Sequence, residues 1–248
     1  MRLPPRWAAY RQACHTRVRP VTYDCIILET APVPPVTVVL LHGYAMQPED
    51  LAPFVKAMGL PGRFLLPRAP LATEAGGRGW WAVDTEARAE AISHGARDLA
   101  STVPVGRAPV RRRLAELLSA ERHLARARPC VLVGFSQGGM LACDTLLREE
   151  VQVDALALLS SSCIDVDVWR AGRARLAGLR SLVAHGRNDA DLAFAAGERL
   201  RDFLVEAGAS VTWLAFDGGH QIPLPVWREL RKLIRSVTFG PPDHAGAA

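Results

Sequence analysis

The sequence predicts an α/β fold in which a mostly parallel central sheet carries helices on both faces. Short apolar segments of strand length alternate along the chain with longer segments of helical spacing. Such alternation is typical of parallel strands joined by crossover helices. The segment 38–41 is apolar at every position, as expected for a strand in a sheet covered on both faces. We therefore expect the functional residues just beyond the carboxyl ends of the strands, where open parallel sheets bind ligands.

The predicted strands share short length and enrichment in β-branched or other apolar residues. They are Tyr23–Leu28, Val36–Leu41, Arg63–Leu66, Cys130–Val133, Ala155–Leu159, Ser181–Ala184 and Val211–Phe216. Helical spacing predicts helices over residues 107–126 and 191–207 and a last helix near the C-terminus. Gly208 suits the end of the second of these, and Pro225 suits the start of the last. One apolar face of the first is expected to carry Val110, Leu114, Leu117, Leu118 and Leu124.

The composition is that of an ordinary globular protein, with 248 residues of which 49% are hydrophobic and 22% charged. We expect one domain over residues 22–238, preceded by an N-terminal extension at 1–21 and followed by a flexible tail at 239–248. No stretch of about 18 apolar residues is present, so we expect no stable membrane insertion. The start of the chain lacks the apolar centre of a signal peptide, which predicts a cytoplasmic protein.

The formal net charge of +5 raises the question of a nucleic-acid partner. The arginines are spread along the chain, and the one dense run, 111–113, fits a solvated helix face better than a phosphate-binding patch. We therefore expect no nucleic acid as a partner. The five cysteines form no CxxC motif, which argues against a zinc ribbon or a thioredoxin-like site. No metal site is predicted, and most of the cysteines are expected to be buried small hydrophobic residues.

The strongest functional signal is the sequence GFSQG at 134–138, a G-x-S-x-G motif between a predicted strand and a predicted helix. A tight turn at Ser136 would lift its hydroxyl clear of the sheet. The flanking glycines remove Cβ atoms that would clash where strand and helix meet. The N-terminus of the following helix would present N–H groups to a developing negative charge. We interpret Ser136 as a nucleophile.

A serine nucleophile needs a general base, and His220 is the best placed of the seven histidines. It follows Gly218 and Gly219 just beyond the last predicted strand, where an imidazole has the freedom to reach the edge of the sheet. It also satisfies the chain order of nucleophile, acid and histidine that accompanies this strand–turn–helix motif.

The acid that orients the histidine is predicted to be Asp189, in the turn after the strand at 181–184. Asp191 is the nearest alternative. Asp189 could also serve as the N-cap of the helix predicted from residue 191, a structural role that is compatible with catalysis.

Stabilisation of an oxyanion requires two backbone N–H donors. The first is expected to be the amide of Gln137, directly after the nucleophile. The second should lie in the loop at 42–51, after an early strand, where we predict the amide of Tyr44. Trp81 is a candidate for the lining of a substrate groove, and packing in the core is the alternative placement for it.

Together these segments resemble the phospholipase/carboxylesterase family of α/β-hydrolases, which includes the acyl-protein thioesterases. The segments that carry the resemblance are His42-Gly43, GFSQGG at 134–139, HGRND at 185–189, Gly-Gly-His at 218–220, LPRAP at 66–70 and GWWAVD at 79–84. The chain departs from the family at Ala45, where many members carry glycine, and over residues 86–110, which match poorly.

The resemblance implies an α/β-hydrolase fold over about residues 22–237, with Ser136, Asp189 and His220 as a catalytic triad. It implies a serine esterase of the carboxylesterase, lysophospholipase or acyl thioesterase type, which acts on a small-molecule ester or thioester through an acyl-enzyme. No metal or organic cofactor is needed for this chemistry. The alternatives are an acyltransferase with the same triad and a non-catalytic, ligand-binding member of the fold.

Overall fold

The computed structural model describes residues 24–125 and 128–240. The strands are β1 (Cys25–Glu29), β2 (Thr37–Leu41), β3 (Arg63–Pro67), β4 (Leu71–Ala72), β5 (Arg78–Gly79), β6 (Cys130–Phe135), β7 (Ala155–Leu159), β8 (Arg180–Gly186) and β9 (Ser210–Phe216). The α-helices are α1 (Ala52–Met58), α2 (Thr85–Ser93), α3 (Arg107–Ala125), α4 (Gln137–Arg148), α5 (Val166–Gly172), α6 (Phe194–Glu206) and α7 (Leu224–Phe239). Short 3-10 helices lie at Pro48–Asp50 and Arg173–Leu176.

The main sheet has seven strands in the order β1-β3-β2-β6-β7-β8-β9. Strand β1 pairs antiparallel with β3, and every other neighbouring pair of this sheet is parallel. Strands β4 and β5 form a separate antiparallel hairpin. The predicted mostly parallel sheet is therefore confirmed, with one antiparallel strand at its edge.

Helices cover both faces of the sheet, as predicted. All five residues of β2 are buried, and their side chains alternate between the two faces. Val39 and Leu41 belong to the apolar cluster that contains residues of α3, α4 and α6. Val38 and Leu40 belong to the opposite cluster, which contains residues of α1 and α7. This double burial explains why the segment is apolar at every position.

Most predicted strands and helices are confirmed with small shifts of their boundaries. Gly208 follows the end of α6 with a φ of 81°, and Pro225 lies in the first turn of α7. The first strand runs from Cys25 to Glu29, whereas the sequence predicted 23–28, and residue 23 lies outside the described residues. The predicted extension at 1–21 and residues 241–248 of the predicted tail lie outside them too.

The sequence predicted that helix α6 begins near residue 191, but it begins at Phe194. The amides of Asp191 and Leu192 instead donate to Oδ1 of Asp189 over 2.9 Å each. These hydrogen bonds hold the chain in a turn ahead of the helix, whose N-cap is Ala193. Asp189 is therefore not the N-cap of α6, the alternative role that the sequence left open for it, because its carboxylate stabilises the preceding turn.

Two side chains of α3 lie in surroundings opposite to those predicted. Leu124 is 71% exposed and does not extend the apolar face of the helix. Arg111, in the run expected to be solvated, is buried and pairs with Asp144 at 3.2 Å and Glu149 at 2.6 Å. Both carboxylates come from the region of α4, so a helical pattern read from α3 alone does not reveal the ion pairs.

Among the described residues, no helix combines the length and the apolar character that crossing a bilayer requires. The parallel strands β2, β6, β8 and β9 end at one edge of the sheet. The loops that carry the candidate functional residues therefore meet at that edge.

Candidate active site

Ser136 lies in a strained turn between β6 and α4. Its φ of 53° and ψ of −119° fall outside the regions that residues with a side chain normally adopt. A Cβ at Gly134 would lie 2.4 Å from the carbonyl oxygen of Gly138, and a Cβ at Gly138 would lie 2.6 Å from the carbonyl oxygen of His42. The two glycines of the motif thus permit the close packing of strand, turn and helix that places Ser136 at the edge of the sheet.

The structure brings Ser136, His220 and Asp189 together from three separate loops. The Ser136 hydroxyl lies 2.8 Å from Nε2 of His220, and Nδ1 of His220 lies 2.7 Å from Oδ2 of Asp189. A carboxylate only accepts hydrogen bonds, so Nδ1 carries the proton and donates to Asp189, which leaves Nε2 to accept from the hydroxyl. The three groups form one continuous hydrogen-bonded chain that can remove a proton from the hydroxyl.

The carboxylate of Asp189 is held on both of its oxygens. Its side chain is fully buried, and Oδ1 accepts from the amides of Asp191 and Leu192. His185 is also fully buried, and its Nε2 donates to the carbonyl oxygen of Leu192 over 3.0 Å and lies 3.4 Å from Oδ2 of Asp189. These contacts leave Oδ2 in position to accept from His220.

Asp191, the alternative acid, has other partners. Its carboxylate forms ion pairs with Arg88 and Arg97. Burial would raise the pKa of Asp191, but hydrogen bonds from Arg97 and Arg88 and the positive charge of Arg97 outweigh it and hold the pKa below its ordinary value. The acid that is hydrogen-bonded to His220 in the structure is Asp189.

The two donors predicted for an oxyanion are the amides of Gln137 and Tyr44. Gln137 is the first residue of α4, whose initial N–H groups have no acceptor within the helix. Among the described residues, neither amide donates a backbone hydrogen bond outside the helices and strands. The loop before Tyr44 packs closely on the serine turn, because a Cβ at Gly43 would lie 2.8 Å from the ring of Phe135.

Ala45, where the chain departs from the resembling family, adopts the left-handed conformation with a φ of 61°. This conformation favours glycine and costs a residue with a side chain about 1–2 kcal/mol. The β4–β5 hairpin holds the loop in place, since the Ala45 N–H donates to the carbonyl oxygen of Arg78 over 2.9 Å. Gly77 permits this approach, because a Cβ there would lie 2.0 Å from the carbonyl oxygen of Ala45.

Trp81 contributes to the site through its backbone. Its side chain is 5% exposed and packs in the hydrophobic core, which is the alternative placement that the sequence left open. The Gln137 side chain accepts from the Trp80 amide over 2.8 Å and donates to the carbonyl oxygen of Trp81 over 3.1 Å. Sequence reasoning missed this role of Gln137, because its partners lie far away in the chain.

His42 and His185 are both buried, and burial lowers the pKa of each imidazole. In His42, Nδ1 donates to the carbonyl oxygen of Gly43 over 2.8 Å, and Nε2 accepts from the Ala69 amide over 3.2 Å. A second proton, on Nε2, would point at the Ala69 N–H, so two hydrogen-bond donors would face each other. The folded protein therefore keeps His42 neutral.

We expect the free energy of unfolding to fall as the pH is lowered through about 6.5, the ordinary pKa of histidine in the unfolded chain. Below it the unfolded chain binds a proton at His42 that the folded chain, with its lowered pKa, does not. For each such histidine, the free energy of unfolding falls by about 1.4 kcal/mol for every unit that the pH is lowered, until the pKa in the folded state is reached. Urea denaturation at several pH values measures this dependence. His42→Gln should make the free energy of unfolding depend less on pH, whereas the control His123→Gln, at an exposed position of α3, should leave the dependence unchanged. Equal slopes for both variants would contradict the expectation.

No group of acidic, histidine and cysteine side chains in the described part of the chain could hold a metal ion. Cys130, Cys143 and Cys163 are buried, as the sequence predicted for most of the cysteines. Burial raises the pKa of the Cys130 and Cys163 thiols to about 12. These thiols are therefore protonated at neutral pH.

Comparison with known proteins identifies a family that covers most of the chain. Residues 25–238 match the family model described as phospholipase/carboxylesterase. No curated protein matches the chain.

Several solved structures share the fold. Esterase PE8 superposes with a TM-score of 0.69 at 22% identity, over 87% of this chain and 99% of that chain. Zea mays acyl-protein thioesterase 2 gives a TM-score of 0.68 at 19% identity, over 88% of this chain and 100% of that chain. The Bacillus cereus carboxylesterase gives 0.65 at 19% identity, over 87% of this chain and 94% of that chain. The likeness confirms the predicted α/β-hydrolase fold.

Proposed function

Because this chain belongs to the phospholipase/carboxylesterase family, we propose that it is a serine hydrolase that cleaves carboxylic esters or thioesters through an acyl-enzyme at Ser136. The observation that carries the proposal is the hydrogen-bonded chain from the Ser136 hydroxyl through His220 to the buried carboxylate of Asp189. A buried carboxylate that binds an imidazole, which in turn binds a serine hydroxyl, is the arrangement that activates a hydroxyl for acyl transfer.

In the first half of the reaction, Oγ of Ser136 attacks the carbonyl carbon of the substrate while Nε2 of His220 accepts the hydroxyl proton. Asp189 stabilises the imidazolium that forms, through the hydrogen bond that it already accepts from Nδ1. The contacts of Asp189 with the amides of Asp191 and Leu192 hold the carboxylate still during this step. A fixed carboxylate keeps the imidazole in the orientation and tautomer that the proton transfer needs.

The negative charge that develops on the carbonyl oxygen is stabilised by the amides of Tyr44 and Gln137. The Gln137 amide lies at the N-terminus of α4, where the helix dipole adds to the favourable interaction. The Gln137 side chain binds the backbone of Trp80 and Trp81, which helps to fix the start of α4 and with it this amide. Donors placed in advance stabilise the transition state without reorganisation during the reaction.

The first half ends when the imidazolium of His220 protonates the departing alcohol or thiol and the bond between carbonyl carbon and leaving group breaks, which leaves the acyl group on Ser136. The second half is hydrolysis of this acyl-enzyme. A water molecule then attacks the acyl-enzyme while Nε2 of His220 accepts one of its protons. The tetrahedral species collapses, the proton returns to Oγ of Ser136, and the carboxylic acid leaves. Every step uses groups of this chain and water.

A fluorophosphonate probe tests the proposal directly, because it phosphonylates only an activated serine. We expect one adduct, on Ser136 by mass spectrometry of the digested protein, and loss of p-nitrophenyl ester hydrolysis in proportion to labelling. Ser119→Ala, which removes an exposed serine of α3, serves as the control and should label like the wild type. An unlabelled Ser136 in a protein that hydrolyses the ester, or no hydrolysis of any ester or thioester, would refute the proposal.

A further inference from the structure

The rim of the site carries a charged cluster that the mechanism above does not use. Arg88 of α2 and Arg97, in the segment after α2, both form ion pairs with Asp191. We call these three side chains the rim cluster. Two guanidinium groups share a single carboxylate, so the rim cluster has a net positive charge.

The rim cluster adjoins the loop that carries Asp189. The backbone amide of Asp191 donates over 2.9 Å to Oδ1 of Asp189, the carboxylate that also binds His220. On the other side, the guanidinium carbon of Arg88 lies 5.9 Å from the centroid of the Tyr44 ring, a distance suited to a cation–π contact. Arg88 therefore spans the space between the loop of the acid and the loop of the proposed oxyanion donor.

Arg97 alone can attach the segment after α2 to the loop that carries Asp189 and Asp191. Its amide donates to the carbonyl oxygen of Asp191, and its carbonyl oxygen accepts from the amide of Ala193, over 2.9 Å each. Its Nε and Nη2 both bind Oδ1 of Asp191. Helix α2, which carries Arg88, has no buried residue, so Arg88 is not needed to fasten a helix of the core.

Arg88 also has donors left over. Its Nη2 binds Oδ2 of Asp191, whereas Nε and Nη1 donate no hydrogen bond to any described residue. The side chain is 33% exposed, so part of it is open to an incoming group. A guanidinium that is held at one nitrogen and open at the others is suited to bind an oxyanion with charge-assisted hydrogen bonds.

We propose that Arg88 is a specificity-determining residue, which binds a carboxylate or similar anionic group carried by the substrate close to its scissile carbonyl. This proposal rests on the proposed function, because it places that carbonyl at Ser136. The anion belongs either to the acyl chain or to the leaving group. An anion on the acyl chain and an anion on the leaving group would bind Arg88 through the same hydrogen bonds. Esters that carry the anion on only one of the two parts distinguish these cases.

The first pair of substrates tests an anion on the acyl chain. Mono-p-nitrophenyl adipate carries a terminal carboxylate, and p-nitrophenyl hexanoate has the same chain length without the charge. The second pair tests an anion on the leaving group, with the hexanoate esters of 4-hydroxybenzoate and 4-hydroxybenzamide. For each pair, the measured quantity is the ratio of kcat/KM for the anionic ester to kcat/KM for the neutral one.

We expect Arg88→Gln to lower this ratio about 10- to 100-fold in at least one pair, since it removes a charge-assisted hydrogen bond. Arg88→Lys should retain part of the ratio, because it keeps the charge but not the planar donors. Arg148→Gln, which removes an exposed arginine at the opposite end of α4, should keep the wild-type ratio. Added salt should lower the wild-type ratio, because the interaction is partly exposed.

A purely structural role for Arg88 would lower kcat/KM for both members of a pair and leave their ratio unchanged, which would overturn the proposal. If the wild type hydrolyses the neutral esters and neither ratio depends on residue 88, this inference fails while the proposed function stands. If no ester in either pair is hydrolysed in a manner that depends on Ser136, both fail.

Discussion

Replacement of Ser136 by alanine is expected to lower kcat for ester hydrolysis about 10⁴- to 10⁶-fold. Alanine lacks the oxygen that forms the covalent bond to the acyl group, and His220 and Asp189 then have no nucleophile to activate. Steady-state and single-turnover kinetics with p-nitrophenyl butyrate measure the loss. The residual rate should come only from the oxyanion donors and from substrate binding.

The variant is expected to fold like the wild type, because among the described residues the hydroxyl binds only His220, and alanine has the same Cβ. Circular dichroism and thermal unfolding check this point. Ser119→Ala, the exposed serine of α3, is the matched control and should retain wild-type kcat. A Ser136→Ala protein that is folded and keeps more than about one hundredth of the wild-type kcat would exclude Ser136 as the nucleophile.

Replacement of Asp189 by asparagine is expected to lower kcat about 10⁴-fold. Oδ1 accepts two backbone amides, from Asp191 and Leu192, so the side-chain oxygen of asparagine should keep that position. Its NH₂ group then faces His220, where Oδ2 of the carboxylate accepts from Nδ1 in the wild type. An NH₂ donor there favours the histidine tautomer with its proton on Nε2, which cannot accept the proton of Ser136.

Asp191→Asn tests the alternative acid in the same protein. Its carboxylate binds Arg88 and Arg97 rather than His220, so we expect a much smaller loss of kcat than for Asp189→Asn. Asp202→Asn, at an exposed position of α6, controls for the removal of a negative charge and should keep wild-type kcat. Equal losses for the substitutions at residues 189 and 191 would contradict the assignment of Asp189 as the acid.

Much of the fold could be predicted from local patterns. Strand β7 was predicted with its observed bounds, Ala155–Leu159, because a short apolar run buried on both faces has few other conformations open to it. The turn at Ser136 could be predicted because its two glycines mark the place where strand and helix backbones touch. Helix α6 was predicted to begin too early, since the carboxylate of Asp189 holds the two residues that a helical pattern would include.

Several side-chain placements that the sequence missed depend on partners far away in the chain. Arg111 was expected to be solvated and is buried against Asp144 and Glu149. The segment 86–110, which matches the resembling family poorly, contributes Arg88 and Arg97 to the rim cluster. No periodicity or motif within that segment indicates that it lies against the acid loop.

The sequence by itself determined which strands form and which polar side chains follow them, because apolar runs and glycine turns act over a few neighbouring residues. Tertiary structure decided the rest: Asp189 rather than Asp191 binds His220, Trp81 packs in the core, and two arginines pair with Asp191. The physical reason is that hydrogen bonds and ion pairs depend on distances of a few ångströms between groups far apart in the chain. Only the packing of the sheet and its loops sets those distances.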